Sequence, residues 1–246
     1  METIPLDVCW RREDAEPPAG AAVVAVIDVL RATSTMTTAL AAGAAGVLAV
    51  DSPEEALALR AADPSRLLAG ERGAHPIPGF DTGNSPAGML IPGVAGRQVV
   101  LATTNGSRAL AWAALHARHV LAVSLLNVTA VAAATAADVA GGRADAVYIL
   151  CSGTEGAFSL DDAYVAGALA DLLVGPAPTR WNCSERARAA LWMYRGAPGA
   201  PFSALAETGP GRSLLRKGYR ADVEFCARRD AFSVVPRLRD GMLMAE

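Results

Sequence analysis

Six short aliphatic runs punctuate the chain, and none shows a regular alternation with polar residues. They are residues 23–27 (VVAVI), 47–50 (VLAV), 66–69 (RLLA), 98–102 (QVVLA), 120–123 (VLAV) and 146–151 (AVYILC). Strands apolar on both faces must be covered on both faces, which is the condition of a parallel sheet between helices. The stretches between them are rich in alanine and carry helix-start signals. Ser52-Pro53-Glu54-Glu55 places a cap, a first-turn proline and first-turn acids in order. Asn84-Ser85-Pro86 reads the same way, Asn127 precedes a helix over 128–139 that stops near Gly141-Gly142, and Ser159 precedes Asp161 and Asp162. Strand alternating with helix predicts an α/β fold, a three-layer α/β/α arrangement with a mostly parallel or mixed sheet. After about residue 176 helical signals dominate, over 184–194 and 211–217, with Gly/Pro breaks at 196–201. The expectation is a single domain over residues 1–246 whose C-terminal part, from about 177, is a helical lobe.

Of 246 residues, 52% are hydrophobic but only 5% aromatic, so packing must rest on Val, Leu, Ile and close alanine contacts. A formal charge of -3 without any basic run argues against nucleic-acid or anionic-membrane partners. The four cysteines form no C-x-x-C pair, as in a protein kept reduced. Residues 1–14 are polar and acidic, unlike a signal peptide, and the apolar stretches 21–30 and 109–126 are interrupted by Asp28 and by His116, Arg118 and His119. A cytoplasmic location and no membrane partner are therefore expected. The apolar composition and the helical C-terminus suggest a homo-oligomer.

In such a sheet functional groups gather at the carboxyl ends of strands. Four runs lead into polar clusters there: 28–35 (DVLRATST), 70–86 (GERGAHPIPGFDTGNSP), 103–108 (TTNGSR) and 151–162 (CSGTEGAFSLDD). Asp28, Glu71, Asp81, Asp161 and Asp162 are hard oxygen ligands suited to Mg²⁺. Arg31, Arg72 and Arg108 can fork onto phosphate, sulfonate or carboxylate oxygens. Glycine-rich turns entering helices expose amides to an anion. Each piece alone has an ordinary reading: a capping Asp, an exposed Glu71-Arg72 pair, a core thiol at Cys151, acids complementing a helix dipole. Together they describe a site for a multiply charged anion with a bridging metal. The three histidines, His75, His116 and His119, are in no zinc or triad pattern. The chain has no G-x-x-x-x-G-K-[ST], no G-x-G-x-x-G, no D-x-D at Asp28 and no arginine six residues after Cys151.

Residues 26–40 (VIDVLRATSTMTTAL), 70–86, 103–109 (TTNGSRA) and 151–162 resemble the 2-phosphosulfolactate phosphatase family, and 211–215, 222–226 and Val235-Pro236 resemble its closing segments. The resemblance spans roughly residues 4 to 240, and GFD-x-GNSP with TTNG is specific in combination. Ser107 departs from the threonine more usual after that glycine but keeps the hydroxyl. The resemblance implies Mg²⁺-dependent hydrolysis of 2-phosphosulfolactate, or of a closely related phosphorylated hydroxy acid, to sulfolactate and phosphate. It implies Mg²⁺ held by Asp28, Glu71, Asp81 and one of Asp161 and Asp162, directly or through water. Arg31 and Arg72 would clamp anionic oxygens, and Asn84, Ser85, Thr103, Asn105 and Ser107 would donate hydrogen bonds. Thr33, Ser34, Thr104, Gly106 and Gly153 complete the expected substrate contacts. The nucleophile is a metal-activated water, Asp28 or Cys151. A Mg²⁺-dependent lyase or isomerase of a small carboxylic acid, and a non-catalytic anion-binding protein, are the alternatives.

Overall fold

Strand and helix alternate through the first three quarters of the chain: β1 (Ile4–Cys9), β2 (Ala22–Ile27), α1 (Ala32–Ala41), β3 (Gly46–Val50), α2 (Pro53–Ala62), β4 (Leu67–Arg72), β5 (His75–Pro76), β6 (Gln98–Ala102), α3 (Asn105–His116), β7 (His119–Val123), α4 (Val128–Ala140), β8 (Ala146–Cys151) and α5 (Leu160–Val174). The remainder holds β9 (Trp181–Cys183), α6 (Glu185–Gly196), α7 (Pro201–Ala206), α8 (Gly209–Arg216), α9 (Arg220–Cys226), β10 (Pro236–Arg239) and β11 (Met242–Ala245). The computed structural model describes residues 3–18, 20–197 and 199–246. Each expected apolar run falls on a strand, the third prolonged to Arg72. Ser52 caps α2 as its sequence predicts, its Oγ accepting the Glu55 N–H at 3.1 Å, a contact of the kind worth about 1 kcal/mol. Asn84-Ser85-Pro86 opens only a 3₁₀ turn, Pro86–Met89. Asn127 turns its side chain back to the Ser124 N–H at 2.9 Å instead of capping α4.

The strands form one sheet in the order β5-β4-β6-β3-β11-β10-β7-β2-β8-β1-β9. β4, β6 and β3 are mutually parallel, as are β7, β2, β8, β1 and β9. Between these blocks sits the β10–β11 hairpin, joined to β7 by the single pair Arg237–Leu121 and to β3 by Leu243–Val47. Its two-residue loop, Asp240-Gly241, has φ of 49° and 80°, the conformation an Asp-Gly hairpin turn requires. Val23, Ala25 and Ile27 of β2 face a core shared with α4, α5 and α6. Val24 and Val26 face α1 and α3, which also cover Val47, Val99 and Leu101. Beneath the smaller block, α2 packs Ala56 on Leu68 and Val100. These are the three layers of an α/β/α fold. The helical C-terminal part also supplies β9 to one edge of the sheet and the hairpin to its interior. Among the described residues no helix is long and apolar enough to cross a membrane.

Candidate active site

Asp28 stands in the short turn between β2 and α1. Its Oδ1 accepts the Ala32 N–H at 3.3 Å, and the Thr33 hydroxyl donates to its carbonyl at 2.9 Å. Facing it, α3 starts immediately after β6, and position 106 must be glycine. A Cβ there would lie 2.8 Å from Ala32 Cβ and 3.0 Å from Asp28 Oδ2. Two helix N-termini thus meet around one carboxylate, where their partial positive charges favour an anion. β4 carries Glu71 to the same place, its Oε2 accepting the Ala74 N–H at 2.6 Å. Behind Asp28, α5 begins with Asp161 and Asp162. The Asp162 oxygens accept the N–H groups of Val29 at 2.9 Å and Gly153 at 3.1 Å, tying the loop after β8 to the β2–α1 turn.

These acids strain against one another. Burial raises the Asp28 pKa to about 7; the Ala32 N–H opposes the rise, and the charges of Asp161 and Glu71 add to it. Burial likewise raises Asp161 to about 6, against a 2.5 Å hydrogen bond from the Ser159 hydroxyl. Asp162 is pushed well above its usual range by burial and by Asp161 and Asp28. The buried cation of the cavity lining, Arg31, is spent on Asp222. Among the described residues none of Asp28, Glu71, Asp161 and Asp162 has a Lys or Arg ion-pair partner.

A cavity of about 580 Å³ opens above Asp28. Its lining includes Arg31, Glu71, Asn84, Thr103, Thr104 and Asn105, residues between 154 and 160, and residues between 207 and 217 around α8. A second cavity, about 460 Å³, shares Glu71, Gly73, Thr104, Asn105, Thr154 and Glu155 with the first and adds Arg12, Arg108 and Ser152. Ala74 (φ 76°) and Glu155 (φ 53°) line these walls in a left-handed conformation that side chains disfavour, a kind of strain that collects at functional sites. Asn84 Oδ1 and Ser152 Oγ are buried there without a hydrogen-bond partner.

Of the residues singled out by sequence, Asp28, Arg31, Glu71, Asn84, Thr103, Thr104 and Asn105 share the larger cavity. Arg31 is largely committed: Nη1 meets Asp222 Oδ2 at 2.5 Å, Nη2 donates to the Ala74 carbonyl at 2.9 Å, and the guanidinium lies 4.9 Å from the Tyr219 ring centre. The Ser85 hydroxyl donates to the other Asp222 oxygen at 2.6 Å. Thr33, Ser34 and Ser107 are buried with hydroxyls bonded to the carbonyls of Asp28, Val29 and Thr103. Gly106 and Gly153 act through backbone, Gly153 by its bond to Asp162. Arg72 borders a shallow recess with Asp51 and Ile77. Asp81 lies outside both cavities, paired with Arg60 and accepting the Leu68 N–H at 2.7 Å. Asp161, Asp162 and Cys151 lie behind the wall; burial, with Asp162 and Cys9 nearby, raises the Cys151 thiol pKa well above its ordinary value. The sequence reading does not single out Arg12, Arg212, Lys217 or Asp222. The Thr208-Gly-Pro cap marks the helix carrying Arg212, but nothing local shows that it lines the same cavity as Asp28.

Among the described residues no three His, Cys, Asp or Glu side chains form a ready cation cage. Mg²⁺ is commonly held by one or two carboxylates together with waters and substrate phosphate oxygens. Asp28 and Glu71, two repelling carboxylates on an open cavity wall, fit that pattern.

The sequence profile of the 2-phosphosulfolactate phosphatase family matches residues 11–241. A Deinococcus radiodurans protein named "Probable 2-phosphosulfolactate phosphatase" is 44% identical over 219 residues, covering 89% of this chain and 88% of its own. A Thermus thermophilus protein of the same name is 43% identical, covering 88% of each chain. A third so named, from Carboxydothermus hydrogenoformans, is 37% identical over 243 residues, covering 98% of this chain and 97% of its own.

Proposed function

We propose that this chain, which belongs to the 2-phosphosulfolactate phosphatase family, hydrolyses the phosphate ester of 2-phosphosulfolactate or a close relative, with Mg²⁺ held by Asp28 and Glu71. The observation that carries this reading is Asp28 itself. It is a buried carboxylate crowded by Asp161 and Glu71, set between two helix N-termini on a cavity wall, with no protein cation paired to it among the described residues. Such a group is costly unless a cation completes it. When bound, Mg²⁺ would supply Lewis-acid stabilisation of the phosphoryl oxygens.

The chain's own groups do the rest. Thr104 and Asn105, at the start of α3, offer donors to the phosphoryl oxygens. Asn84 Oδ1, buried and without a partner, accepts a hydrogen bond from the water that attacks phosphorus. Arg31, fixed by Asp222 and Ala74, keeps a positive charge on the wall without leaving it. The raised pKa of Cys151 and its complete burial argue against a thiolate nucleophile. Phosphate release from 2-phosphosulfolactate, with and without Mg²⁺, tests the reading beside phospholactate, phosphoglycerate and an aryl phosphate. The expected result is Mg²⁺-dependent release, fastest with phosphosulfolactate and lost in Asp28→Asn. Release that ignores Mg²⁺ or survives Asp28→Asn would refute the assignment of the site.

A further inference from the structure

The cations facing the two joined cavities differ in what they are free to do. Arg31 is bonded to Asp222 and Ala74. Lys217 Nζ donates to the Gly73 carbonyl at 2.9 Å. Arg12 is paired with Glu13, and Arg108 with Asp51 at 3.0 Å. Arg212 lines the larger cavity and is exposed, and among the described residues it has neither an ion-pair nor a hydrogen-bond partner.

Its backbone, by contrast, is firmly seated. Thr208 caps α8, accepting the Gly211 N–H at 3.1 Å while donating to the Leu205 carbonyl at 2.9 Å. At Gly211 the helix approaches α7 so closely that a Cβ would fall 1.9 Å from the Leu205 oxygen. Leu214 is buried one turn on. A rigid helix thus holds one unspent guanidinium in the lining of the cavity that also holds Asp28 and Glu71. A phosphoryl group drawn to those carboxylates through a cation leaves the other acid groups of its substrate without a counter-charge. A free guanidinium in the same cavity meets that need, and a phosphate monoester lacking a second acid gains nothing from it.

We infer that Arg212 is a specificity-determining residue: it binds the sulfonate or carboxylate of the substrate, the acid remote from phosphorus. The inference rests on the proposed phosphatase reading for the substrate's identity, but its test does not need turnover. Arg212→Ala and Arg212→Lys are compared with wild type in two measurements. In the first, kcat/KM is measured for phosphosulfolactate and for an aryl phosphate. The expected loss in Arg212→Ala is at least ten-fold greater for phosphosulfolactate, lies mainly in KM, and is partly restored by Lys. In the second, sulfolactate, which carries no phosphate, is titrated calorimetrically and should bind at least ten-fold more weakly to Arg212→Ala. Equal losses on both phosphates, or unchanged sulfolactate binding, overturn the inference and leave the phosphatase reading standing. Arg212-dependent sulfolactate binding by a wild-type protein that releases no phosphate would sustain the inference and sink the phosphatase reading. A wild type that neither turns over nor binds any of these anions sinks both. Melting temperature controls for folding, since the side chain is exposed.

Discussion

Asp222→Ala should damage this protein far more than its distance in sequence from the polar clusters suggests. Asp222 and Arg31 lie 191 residues apart and meet at 2.5 Å, their side chains 7% and 3% exposed. Ser85 completes the carboxylate from the loop before its 3₁₀ turn. Removing the acid leaves a buried guanidinium holding only a carbonyl and an aromatic face. Breaking a buried pair from one side costs about 3–5 kcal/mol. At about 2–4 °C per kcal/mol for a chain of this size, the melting temperature should fall by roughly 6–20 °C. Urea unfolding followed by circular dichroism gives the number directly. The double variant Asp222→Ala/Arg31→Met should lose at least about 1 kcal/mol less than the sum of the single losses, because the orphaned charge is gone. A single-variant cost below about 1 kcal/mol, or strict additivity in the double variant, would refute the account of Asp222 as the anchor of Arg31.

Three other outcomes follow from the same geometry. Asp28 and Asp161 have folded-state pKa values raised to about 7 and about 6. Their protonated forms therefore favour folding, and that contribution is lost as pH rises from about 4 through those values. The metal-free melting temperature should fall between pH 5 and pH 8, less so in Asp28→Asn, and millimolar Mg²⁺ should restore it at pH 8; an identical slope in Asp28→Asn would contradict the cluster's role. Cys151→Ala should keep Mg²⁺-dependent phosphate release within a few-fold while costing about 1–2 kcal/mol of stability, and a loss of activity of three orders of magnitude would make the thiol the nucleophile. Gly106→Ala drives a methyl group against Ala32 and Asp28, so it should lower kcat at least ten-fold or cost about 1–3 kcal/mol in denaturant unfolding; a variant as active and as stable as wild type would show that the α1–α3 junction tolerates more than its distances allow.

The layers were legible because their signals are local. Uninterrupted aliphatic runs mark strands buried on both faces, and Ser52-Pro53-Glu54-Glu55 caps α2 through bonds spanning three residues. β1 is missing from the six expected strands, since Pro5 and Asp7 interrupt its apolar residues. The Asp240-Gly241 turn announces the C-terminal hairpin, but nothing around it says that the hairpin enters the middle of the sheet. Within the site, Asp28, Glu71 and the 103–105 segment could be singled out because each closely follows an aliphatic run. Asp81 follows one too, yet its carboxylate turns back to Arg60 and Leu68. The hydroxyls of Thr33 and Ser34 are taken up by carbonyls five residues earlier, the local competition for backbone groups to which such residues are prone.

By itself the sequence determined the alternation of strand and helix, the α/β layers and the acidic turns at strand ends, because propensity, capping and burial on both faces act within a few residues. The tertiary structure alone decided that Asp222 clamps Arg31, that α8 brings Arg212 into the cavity lined by Asp28, and that Asp28, Asp161 and Asp162 are buried so close together that their pKa values rise. Those outcomes depend on which helix packs against which strand, and on charges that meet only after water has been excluded between segments far apart in the chain.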